Sequence, residues 1–395
     1  MADRLNVLVL NQISANGLKR LPAERYAVGK DMAAPDAVLV RSADMHAMDI
    51  PTSVKAIGRA GAGTNNIPVA AMSQRGVPVF NAPGANANAV KELVIAGMLL
   101  AARNLPAALR FVDGLDPGAA DMDKSVEEGK KAFAGFELAG QTLGIVGLGK
   151  IGCLVADAAI KLGMNVLGYD PEITVDAAWS LPAQVKKAAS VAEVLRASDF
   201  VTLHVPLLAA TRGLVGADNI GQMRKGAVLL NFSREGVADD AAVLDALRKK
   251  ALACYVCDFP SPALHGQERV VALPHLGAST REAEENCAVM VVDQLRDYLE
   301  HGNVTHAVNF PQVSMARESA YRVAIANANV PNMLGQISTA MAKAGLNIHN
   351  MVNKSRGEMA YTLVDVDSPV GSAVLDSLRA IEGVLAVRYL PHMPG

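Results

Sequence analysis

Three glycines at a fixed spacing constrain the fold of this chain more than any other feature. Gly147, Gly149 and Gly152 lie in TLGIVGLGKIG, where a strand-like apolar run meets the start of a helix-like run. In that setting the first glycine permits a tight turn, the second lets backbone approach a phosphate group, and the third allows close helix–strand contact. The spacing therefore predicts a strand–turn–helix unit of a parallel sheet that binds a dinucleotide.

An acidic residue at a suitable distance makes that prediction more specific. Asp170 ends the next strand-like run, NVLGYD, about 20 residues beyond the first glycine, where an acid can hydrogen-bond the ribose of a dinucleotide. A carboxylate there repels a 2′-phosphate, so we predict NAD rather than NADP as the cofactor. The alternative is a glycine turn that serves only helix packing.

The order of strand-like and helix-like runs predicts an α/β architecture. Their alternation is typical of doubly wound parallel sheets. We expect two Rossmann- or flavodoxin-like domains, one over residues 1–95, completed by the segment 280–305, and an NAD-binding one over 96–279. A linker at 306–319 leads to a β-α-β-β-α-β pattern over 320–395, which predicts a small ferredoxin-like domain.

Charge and cysteine content exclude several classes of partner. With 37 basic and 39 acidic side chains, the net charge of −2 gives no reason to expect nucleic acid or a membrane, so a small metabolite is the better prediction. No secretory signal is visible, and we expect a cytoplasmic protein. Cys254 and Cys257 form a C-x-x-C in a strand-like run. No second pair completes a zinc site, so we predict a structural role for both thiols and no metal.

A series of further motifs resembles the D-isomer-specific 2-hydroxyacid dehydrogenases. In chain order the matching segments are VRSADMH, IGRAGAGTNNI, VFNAPGANANAVKEL, LGIVGLGKIG, GYDP, LHVPLLAATRGLVG, MRKGAVLLNFSREGVAD and PHLGASTREAEENC. The segment that follows them is similar to an ACT regulatory domain. The resemblance implies NAD-dependent oxidation of a 2-hydroxy acid, most closely that of 3-phosphoglycerate in the first step of L-serine synthesis.

The implied reaction needs a hydride acceptor, a base for the hydroxyl proton and a cation for the carboxylate. Arg234, in NFSREG, follows a strand-like run, where a guanidinium can hold a carboxylate. His275, in PHLGAST, matches the family histidine that takes the hydroxyl proton as hydride leaves carbon 2. We predict both as catalytic residues; the alternatives are a surface arginine and a core histidine.

One departure from the family concerns the acid that pairs with this histidine. Relatives usually carry D-V-F-x-x-E-P ahead of it, and the glutamate of that motif orients the imidazole. This chain has the shorter CDFPSP, which keeps Asp258 but has no acid at the glutamate position. Three explanations remain open: Asp258 serves both functions, Glu268 swings in from HGQERV, or the pair is incomplete.

The resemblance also implies a substrate pocket in the first domain. Arg41 and Arg59 fall at positions that approach the phosphate of 3-phosphoglycerate, and two arginines on one phosphate discriminate it from smaller 2-hydroxy acids. Gly61, Gly63 and Asn66 fall at positions near the substrate carboxylate. The alternative is that both arginines form ordinary surface ion pairs.

Cofactor contacts are implied along the second domain, with the phosphates at the glycine motif, the adenine side after it and the nicotinamide last. The matched positions are Gly147, Gly149, Lys150, Ile151, Gly152, Asp170, His204, Val205, Pro206, Asn231, Phe232, Ser233, Asp258 and Gly277. Lys150 stands where many relatives have arginine, so it keeps the positive charge but loses the planar fork.

The ACT-like segment implies self-association and an effector. ACT domains pair edge to edge and commonly bind an amino acid at the joint, which in this pathway would be L-serine. Asn327 and Asn329 fall on the ligand loop, and Asn347 opens the next strand. The alternative is a domain used only for assembly. We expect a homodimer or homotetramer.

Two other functions fit the same fold. One is a reductase for another 2-hydroxy or 2-keto acid, such as hydroxypyruvate or glyoxylate, against which PHLGAST and the ACT-like segment argue. The other is a binding protein that senses NAD without catalysis, which Arg41 and Arg59 disfavour. An assay of NADH formation separates all three.

Overall fold

The computed structural model describes residues 4–117 and 121–391, which divide into two units. The first unit contains the described residues up to Asn86 together with those from Arg281 onward, and the second contains Ala87–Thr280. The C-terminal segment thus belongs to the same unit as the N-terminal one, whereas the sequence predicted a separate domain.

The boundary between the units also differs from the expected one. A division between residues 95 and 96 would cut one continuous helix, Ala87–Ala102. This helix buries Val94 and Met98 in the hydrophobic core of the second unit. Because the whole helix is one rigid element with its apolar face in that core, it belongs to the second unit entirely.

The first unit contains a five-stranded sheet whose neighbouring strands are all parallel. Its elements are β1 (Leu5–Leu10), β2 (Tyr26–Gly29), β3 (Ala37–Val40), β4 (Ala56–Arg59), β5 (Val79–Phe80), α1 (Ala15–Leu18) and α2 (Val69–Gln74). The strand order is β2-β1-β3-β4-β5, which confirms the flavodoxin-like fold. β3, of sequence AVLV, is buried along its whole length because both faces of such a sheet are covered.

The second unit contains a seven-stranded sheet, again with parallel neighbours only. Its helices are α3 (Ala87–Ala102), α4 (Leu105–Asp113), α5 (Met122–Gly129), α6 (Lys150–Lys161), α7 (Val175–Ser180), α8 (Val191–Ala197) and α9 (Asp240–Arg248), with 3₁₀ turns at Lys130–Phe133 and Ile220–Gln222. Its strands are β6 (Thr142–Val146), β7 (Asn165–Tyr169), β8 (Lys186–Lys187), β9 (Phe200–Leu203), β10 (Ala227–Asn231), β11 (Leu252–Cys257) and β12 (Val270–Ala272). The order β12-β11-β10-β9-β6-β7-β8 confirms the Rossmann fold, and it reverses between β6 and β9, beside which such sheets bind ligands.

The two cysteines of the C-x-x-C lie in β11, where both thiols are free and buried. Burial raises the pKa of Cys254 to about 12 and that of Cys257 to about 11. Thiols with such pKa values stay protonated at neutral pH, which disfavours metal binding and nucleophilic chemistry. Within the described residues, no group of three or more His, Cys, Asp and Glu side chains is placed to hold a metal ion.

The remainder of the first unit is a long helix followed by a four-stranded antiparallel sheet. These elements are α10 (Arg281–His301), β13 (Tyr321–Ala328), α11 (Met333–Lys343), β14 (Ile348–Arg356), β15 (Met359–Val366), α12 (Ser372–Arg379) and β16 (Val384–Pro391). The chain order and the sheet order β14-β15-β13-β16 confirm the ferredoxin-like pattern.

Both faces of this C-terminal sheet are buried. On one face Val323 and Ile325 pack with residues of α11 and α12, such as Ile337. On the other face Ala324 and Tyr361 belong to the same hydrophobic core as α10 and the first sheet. The C-terminal sheet is therefore a layer of the first unit.

The connector between α10 and β13 is part of the same core. Phe310, Val313 and Met315 are at most 5% exposed, and Val304 and Val313 form an isolated β-bridge. The segment 306–319, expected to be a linker, is thus fixed by packing. Its apolar side chains cover the junction of α10 with the C-terminal sheet.

A buried ion pair connects the C-terminal sheet with the connector and the end of α10. Arg322 and Asp365 are fully buried, with Nε–Oδ1 and Nη2–Oδ2 distances of 2.6 and 2.9 Å. The other guanidinium N–H groups donate to the carbonyls of His301, Met315 and Ala316. Buried charges persist when they are paired and fully hydrogen-bonded, so this arginine holds β13 against the connector and the end of α10.

No single helix in the described part of the chain has the length and apolar character needed to cross a membrane. α3 and α4 meet that test only as a pair, and the pair is bent by 67°.

A glycine at the end of α10 provides a test of this packing. Gly302 has a φ of +74°, and a Cβ there would lie 2.8 Å from Leu390 Cδ1 and 3.0 Å from Leu363 Cδ2. Gly345 has a φ of +73° but open space around a Cβ. We expect Gly345→Ala to lower the free energy of unfolding by about 1–2 kcal/mol, the cost of a left-handed alanine. Gly302→Ala should cost roughly 1–3 kcal/mol more because it overpacks the junction. Urea unfolding measures both losses, and equal losses would contradict the tight fit.

Candidate active site

The three glycines of the fingerprint are required for three different reasons. Gly147 has a φ of +97°, and a Cβ there would lie 2.7 Å from the carbonyl carbon and oxygen of His204. A Cβ on Gly152 would lie 2.1 Å from the carbonyl oxygen of Gly147. Gly149 has no atom within 4 Å of its Cβ position. The protein itself therefore excludes side chains at the first and third positions, while the second borders open space that suits a phosphate group.

The start of α6 lies at this open space. Gly149 is the N-cap of α6, and no side chain caps the helix there. The first-turn N–H groups and the positive end of the helix dipole thus remain available to an anion. The exposed Lys150 adds a positive charge in the first turn, next to the half-buried Ile151.

The carboxylate of Asp170 lies beside the same turn. Its Oδ2 accepts a hydrogen bond from the backbone N–H of Leu148 at 2.8 Å, and its Oδ1 accepts one from Glu172 at 2.9 Å. These two bonds fix the carboxylate at the carboxyl end of β7. The structure thus brings the residue assigned to the ribose together with the glycine turn assigned to the phosphates.

The segment after β9 borders the glycine turn from the other side. His204 Nε2 lies 3.0 Å from Thr202 Oγ1, and its Nδ1 is buried with no hydrogen-bond partner among the described residues. Burial lowers the pKa of His204 to about 3, so the ring is neutral at neutral pH. Val205 is half-buried and Pro206 is exposed, so this segment has accessible surface beside the turn.

The amide of Asn231 shapes the turn that carries Arg234. Asn231 Oδ1 accepts hydrogen bonds from the backbone N–H and the hydroxyl of Ser233, at 3.1 and 2.8 Å. Its Nδ2 donates to the carbonyl of Arg234 at 3.0 Å. Arg234 is exposed, and its Nη1 donates to the Ser233 carbonyl at 2.7 Å. The side chain of Phe232 lies in the hydrophobic core and serves the fold, so only its backbone could contact a cofactor.

A second carboxylate holds the turn that carries His275. Asp258 Oδ1 accepts the N–H of Leu276 and Oδ2 accepts that of Gly277, both at 2.7 Å. Burial raises the pKa of Asp258, and these two N–H groups oppose that shift. A Cβ on Gly277 would lie 3.1 Å from Asp258 Oδ2, so glycine allows the close approach. His275 has a φ of +57°, a strained conformation of the kind that clusters at functional sites.

The ring of His275 is exposed and lies edge-on to Phe259, with 5.0 Å between ring centroids. No carboxylate within the described ranges is hydrogen-bonded to this ring. Glu268 lies 3.7 Å from Arg269 Nε and its side chain is 90% exposed. Of the three explanations for the missing glutamate, this geometry favours an incomplete pair in which Asp258 orients the histidine through backbone.

In the first unit, the two candidate phosphate ligands follow neighbouring parallel strands. Arg41 comes directly after β3, Arg59 ends β4, and Val40 is in register with Arg59. Arg41 Nη2 lies 2.6 Å from Glu284 Oε1 on α10. Burial raises the pKa of Cys287, while the charges of Arg59 and Arg41 lower it, so both guanidinium groups lie near the same part of α10.

The loop residues around these arginines also contribute to the local fold. A Cβ on Gly61 would lie 1.5 Å from Arg59 Nη1, so the guanidinium lies across this glycine. Asn66 Nδ2 donates to the carbonyl of Ala43 at 2.8 Å, which ties down the loop after β3. Gly63 is half-buried between them. The hydrogen bond that the structure shows for Asn66 therefore supports the fold of this loop.

Sequence reasoning missed two side chains at these sites, Glu284 and Phe259. Both lie inside quoted motifs, PHLGASTREAEENC and CDFPSP, so their proximity to the site was available as a signal. The pairing of Glu284 with Arg41 could not be predicted in this way, because the two residues are 243 positions apart in the sequence.

The structure separates the three candidate effector residues. Asn327 is 1% exposed at the end of β13, and its Oδ1 has no hydrogen-bond partner among the described residues. Asn329 Nδ2 donates to the carbonyl of Gly357 at 3.0 Å. Asn347 pairs instead with Asp367, and the register of β14 with β15 places it at the opposite end of the sheet. One chain therefore does not bring Asn347 to the other two, because the whole length of β14 lies between them.

Comparisons with known proteins agree with this architecture. Residues 96–277 match the family model of the D-isomer specific 2-hydroxyacid dehydrogenase, NAD binding domain. The chain is 35% identical over 348 residues to D-3-phosphoglycerate dehydrogenase of Escherichia coli, which covers 85% of this chain and 81% of that protein. The enzyme of the same name from Haemophilus influenzae is 34% identical with the same coverage. A solved structure of NAD⁺-bound 3-phosphoglycerate dehydrogenase from Entamoeba histolytica has a TM-score of 0.60 and 26% identity, and covers 78% of this chain and 99% of that one.

Two alanine variants distinguish the glycine that borders open space from one that borders protein. Gly149→Ala adds a Cβ to open space, so we expect a near-normal free energy of unfolding but at least about tenfold weaker NADH binding, because the pyrophosphate needs that space. Gly152→Ala should lower the free energy of unfolding by about 1–3 kcal/mol through overpacking. NADH fluorescence titration and thermal unfolding measure the two effects. Normal NADH affinity in Gly149→Ala would contradict the assignment.

Proposed function

The chain belongs to the D-isomer-specific 2-hydroxyacid dehydrogenase family, and we propose that its reaction is the oxidation of 3-phospho-D-glycerate to 3-phosphohydroxypyruvate. It is an NAD-dependent oxidoreductase, and relatives named D-3-phosphoglycerate dehydrogenase support the substrate. The observation on this chain that carries the proposal is the placement of Arg41 and Arg59 at the ends of the neighbouring parallel strands β3 and β4, with Arg41 paired to Glu284 of α10, which suits a phosphorylated substrate. The reaction would open L-serine synthesis.

In the second unit, the space and the charges around the glycine turn suit NAD. The open space at Gly149 and the uncapped start of α6 suit the pyrophosphate, and the fixed carboxylate of Asp170 suits the ribose hydroxyls. When bound, NAD accepts the hydride from carbon 2 of the substrate. His204 is neutral, so it lines this site without adding charge.

We assign proton transfer to His275 and carboxylate binding to Arg234. An exposed imidazole can take the hydroxyl proton, a role that contributes typically about 10²–10⁴ in rate. An exposed guanidinium can bind a carboxylate through two parallel N–H···O bonds. Asn231 and Asp258 hold the backbone of the two turns, so they act as positioning residues.

Arg41 and Arg59 would bind the phosphate group. Glu284 engages only Nη2 of Arg41, and a guanidinium has five N–H donors, so others remain for a phosphate oxygen. The carboxylate also holds the arginine in place before substrate arrives. A substrate without a phosphate group would form no ion pair with Arg41 and Arg59. We therefore expect selectivity for the phosphorylated substrate.

All four cysteines lie in the described part of the chain as free, buried thiols. This suits the reducing cytoplasm that we propose as the location of the protein.

The substrate assignment is tested by the rate of NADH formation from 3-phosphoglycerate, glycerate and D-lactate. We expect a clear preference for 3-phosphoglycerate. Arg59→Ala should raise KM for 3-phosphoglycerate by about tenfold or more, because a charge-assisted hydrogen bond is lost, and leave KM for glycerate nearly unchanged. Arg20→Ala is the matched control, since Arg20 forms an exposed pair with Asp293.

Equal turnover of glycerate would favour a different 2-hydroxy acid. NADH binding without turnover of any of the three substrates would favour a non-catalytic NAD-binding protein. An unchanged KM for 3-phosphoglycerate in Arg59→Ala would remove this arginine from the phosphate site.

We further propose that the C-terminal sheet pairs with a second copy and that an amino acid, L-serine, binds at the joint. β14 is an edge strand, and antiparallel pairing with the same strand of a second copy would bring the partner's Asn347 to the end of β14 where Asn329 lies. The buried, unpaired Oδ1 of Asn327 is at that end of the sheet. A homodimer or homotetramer follows from such pairing.

Sedimentation velocity with and without L-serine tests both parts of this proposal. We expect L-serine to increase the dimeric fraction and to lower the rate of NADH formation, and Asn329→Ala to abolish both effects. A sedimentation coefficient and a rate that do not respond to L-serine would leave the C-terminal sheet with a structural role only.

A further inference from the structure

The last turn of α10 is capped by side chains from the C-terminal sheet and the connector. A helix leaves its final carbonyl groups without partners in the helix. At the end of α10 and at Gly302 the side-chain donors are Arg388 Nη1 to Tyr298 O (3.2 Å), Arg388 Nη2 to Leu299 O (3.0 Å), Arg317 Nη1 to Glu300 O (3.3 Å), Arg322 Nη1 to His301 O (3.0 Å) and the Tyr361 hydroxyl to Gly302 O (2.8 Å). Tyr298 O also accepts the backbone N–H of Gly302 at 2.9 Å. Three of these four side chains are arginines, whose charge is favourable at the negative end of the helix dipole.

Arg388 makes the most specific of these contacts. Its two terminal nitrogens span consecutive carbonyls, and its guanidinium lies over the ring of Tyr298, 4.4 Å from the ring centroid. A planar fork can make both kinds of contact at once, which a lysine cannot. Gly302, directly after the helix, fits closely against Leu390 and Leu363 of the same sheet. The end of α10 is thereby held against sliding and rotation.

The beginning of α10 carries the contacts of the substrate pocket. Glu284, in its first turn, is paired with Arg41 at 2.6 Å. Cys287, one turn later, lies in the field of Arg41 and Arg59. Val291 packs so closely on β4 that a Cβ on Gly58 would lie 2.9 Å from it. A single 21-residue helix thus connects the C-terminal sheet with the arginine pair.

We propose that Arg388 is a positioning residue for the substrate pocket: by fixing the end of α10 it sets the position of Glu284, and through Glu284 the direction of the Arg41 guanidinium. The proposal rests on the assignment of Arg41 to the substrate phosphate. The physical basis is that a helix is a rigid element, so fixing its last turn also restricts the position of its first turn. Release of the last turn would therefore widen the range of positions that the first turn can occupy.

Arg388 is also the capping residue that can be changed with least risk to the fold. Removal of Arg322 would leave Asp365 buried and unpaired, which is strongly destabilising. Arg388 is half-buried, and no carboxylate in the described part of the chain pairs with it. Arg379 offers a matched control. It lies on α12, which packs on the same C-terminal sheet, but its side chain pairs only with Asp376 on its own helix.

The first measurement reports on α10 itself and does not depend on substrate. Cys287 is 3% exposed, and its alkylation by a thiol reagent, located by mass spectrometry, reports on the position of the helix. We expect Arg388→Ala to increase the labelling rate of Cys287 about threefold or more and Arg388→Lys to have a smaller effect. Cys153, Cys254 and Cys257 lie in the other unit and should label as in the unchanged protein, as should all four in Arg379→Ala.

The second measurement reports on the pocket. Arg388→Ala should raise KM for 3-phosphoglycerate about threefold to tenfold, with KM for NAD and kcat nearly unchanged, and Arg388→Lys should restore part of the loss. In the Arg41→Ala background, Arg388→Ala should have no further effect on KM, because the group it positions is gone.

The outcomes separate this proposal from the proposed function. Unchanged labelling of Cys287 in Arg388→Ala overturns the proposal, as does additive behaviour of Arg388→Ala and Arg41→Ala. Increased labelling with unchanged KM also overturns it, provided that Arg41→Ala alone raises KM. If Arg41→Ala leaves KM unchanged, the phosphate assignment of Arg41 falls and this positioning role falls with it, while turnover of 3-phosphoglycerate would still support the reaction.

Discussion

Backbone N–H and C=O groups at the ends of strands and helices must be hydrogen-bonded wherever water is excluded, and in the turns of the candidate site this protein meets part of that requirement with side chains. Asn231 satisfies the turn that carries Arg234, and Asp258 satisfies the turn that carries His275. Asp170 does the same beside the glycine turn. Each of these bonds also fixes a group to which we propose a role in the reaction, so the stability of the turns and the geometry of the proposed site depend on the same contacts.

The same requirement explains the place of the C-terminal sheet. The carbonyls at the end of α10 take their donors from that sheet and from the connector, and apolar side chains of both fill the space around them. The sheet is consequently buried on both faces and belongs to the same unit as Arg41 and Arg59, the proposed phosphate ligands. A regulatory role would therefore act through packed contacts along α10 rather than through a mobile tether.

Much of the fold was predictable because parallel sheets bury both faces. Apolar runs such as AVLV are visible without any knowledge of their neighbours, and their alternation with helical patterns predicted both parallel sheets. The glycine turn was predictable for a related reason, since close approach and positive φ exclude other residues locally. The unit boundary, the buried connector and the separation of Asn347 from Asn329 were not predictable, because they depend on which core a helix joins and on which way an edge strand runs.

The sequence alone determined the features that depend on residues close together in the chain: the α/β alternation, the dinucleotide turn with Asp170, and the motifs around Arg234 and His275. Only the tertiary structure decided that Asp258 accepts the N–H groups of Leu276 and Gly277, directly after His275, and that Glu284 meets Arg41 from 243 positions away. The physical reason is that a turn or a period is encoded by local sterics and burial. A contact between distant side chains follows from how whole elements pack, and it leaves no local pattern in the sequence.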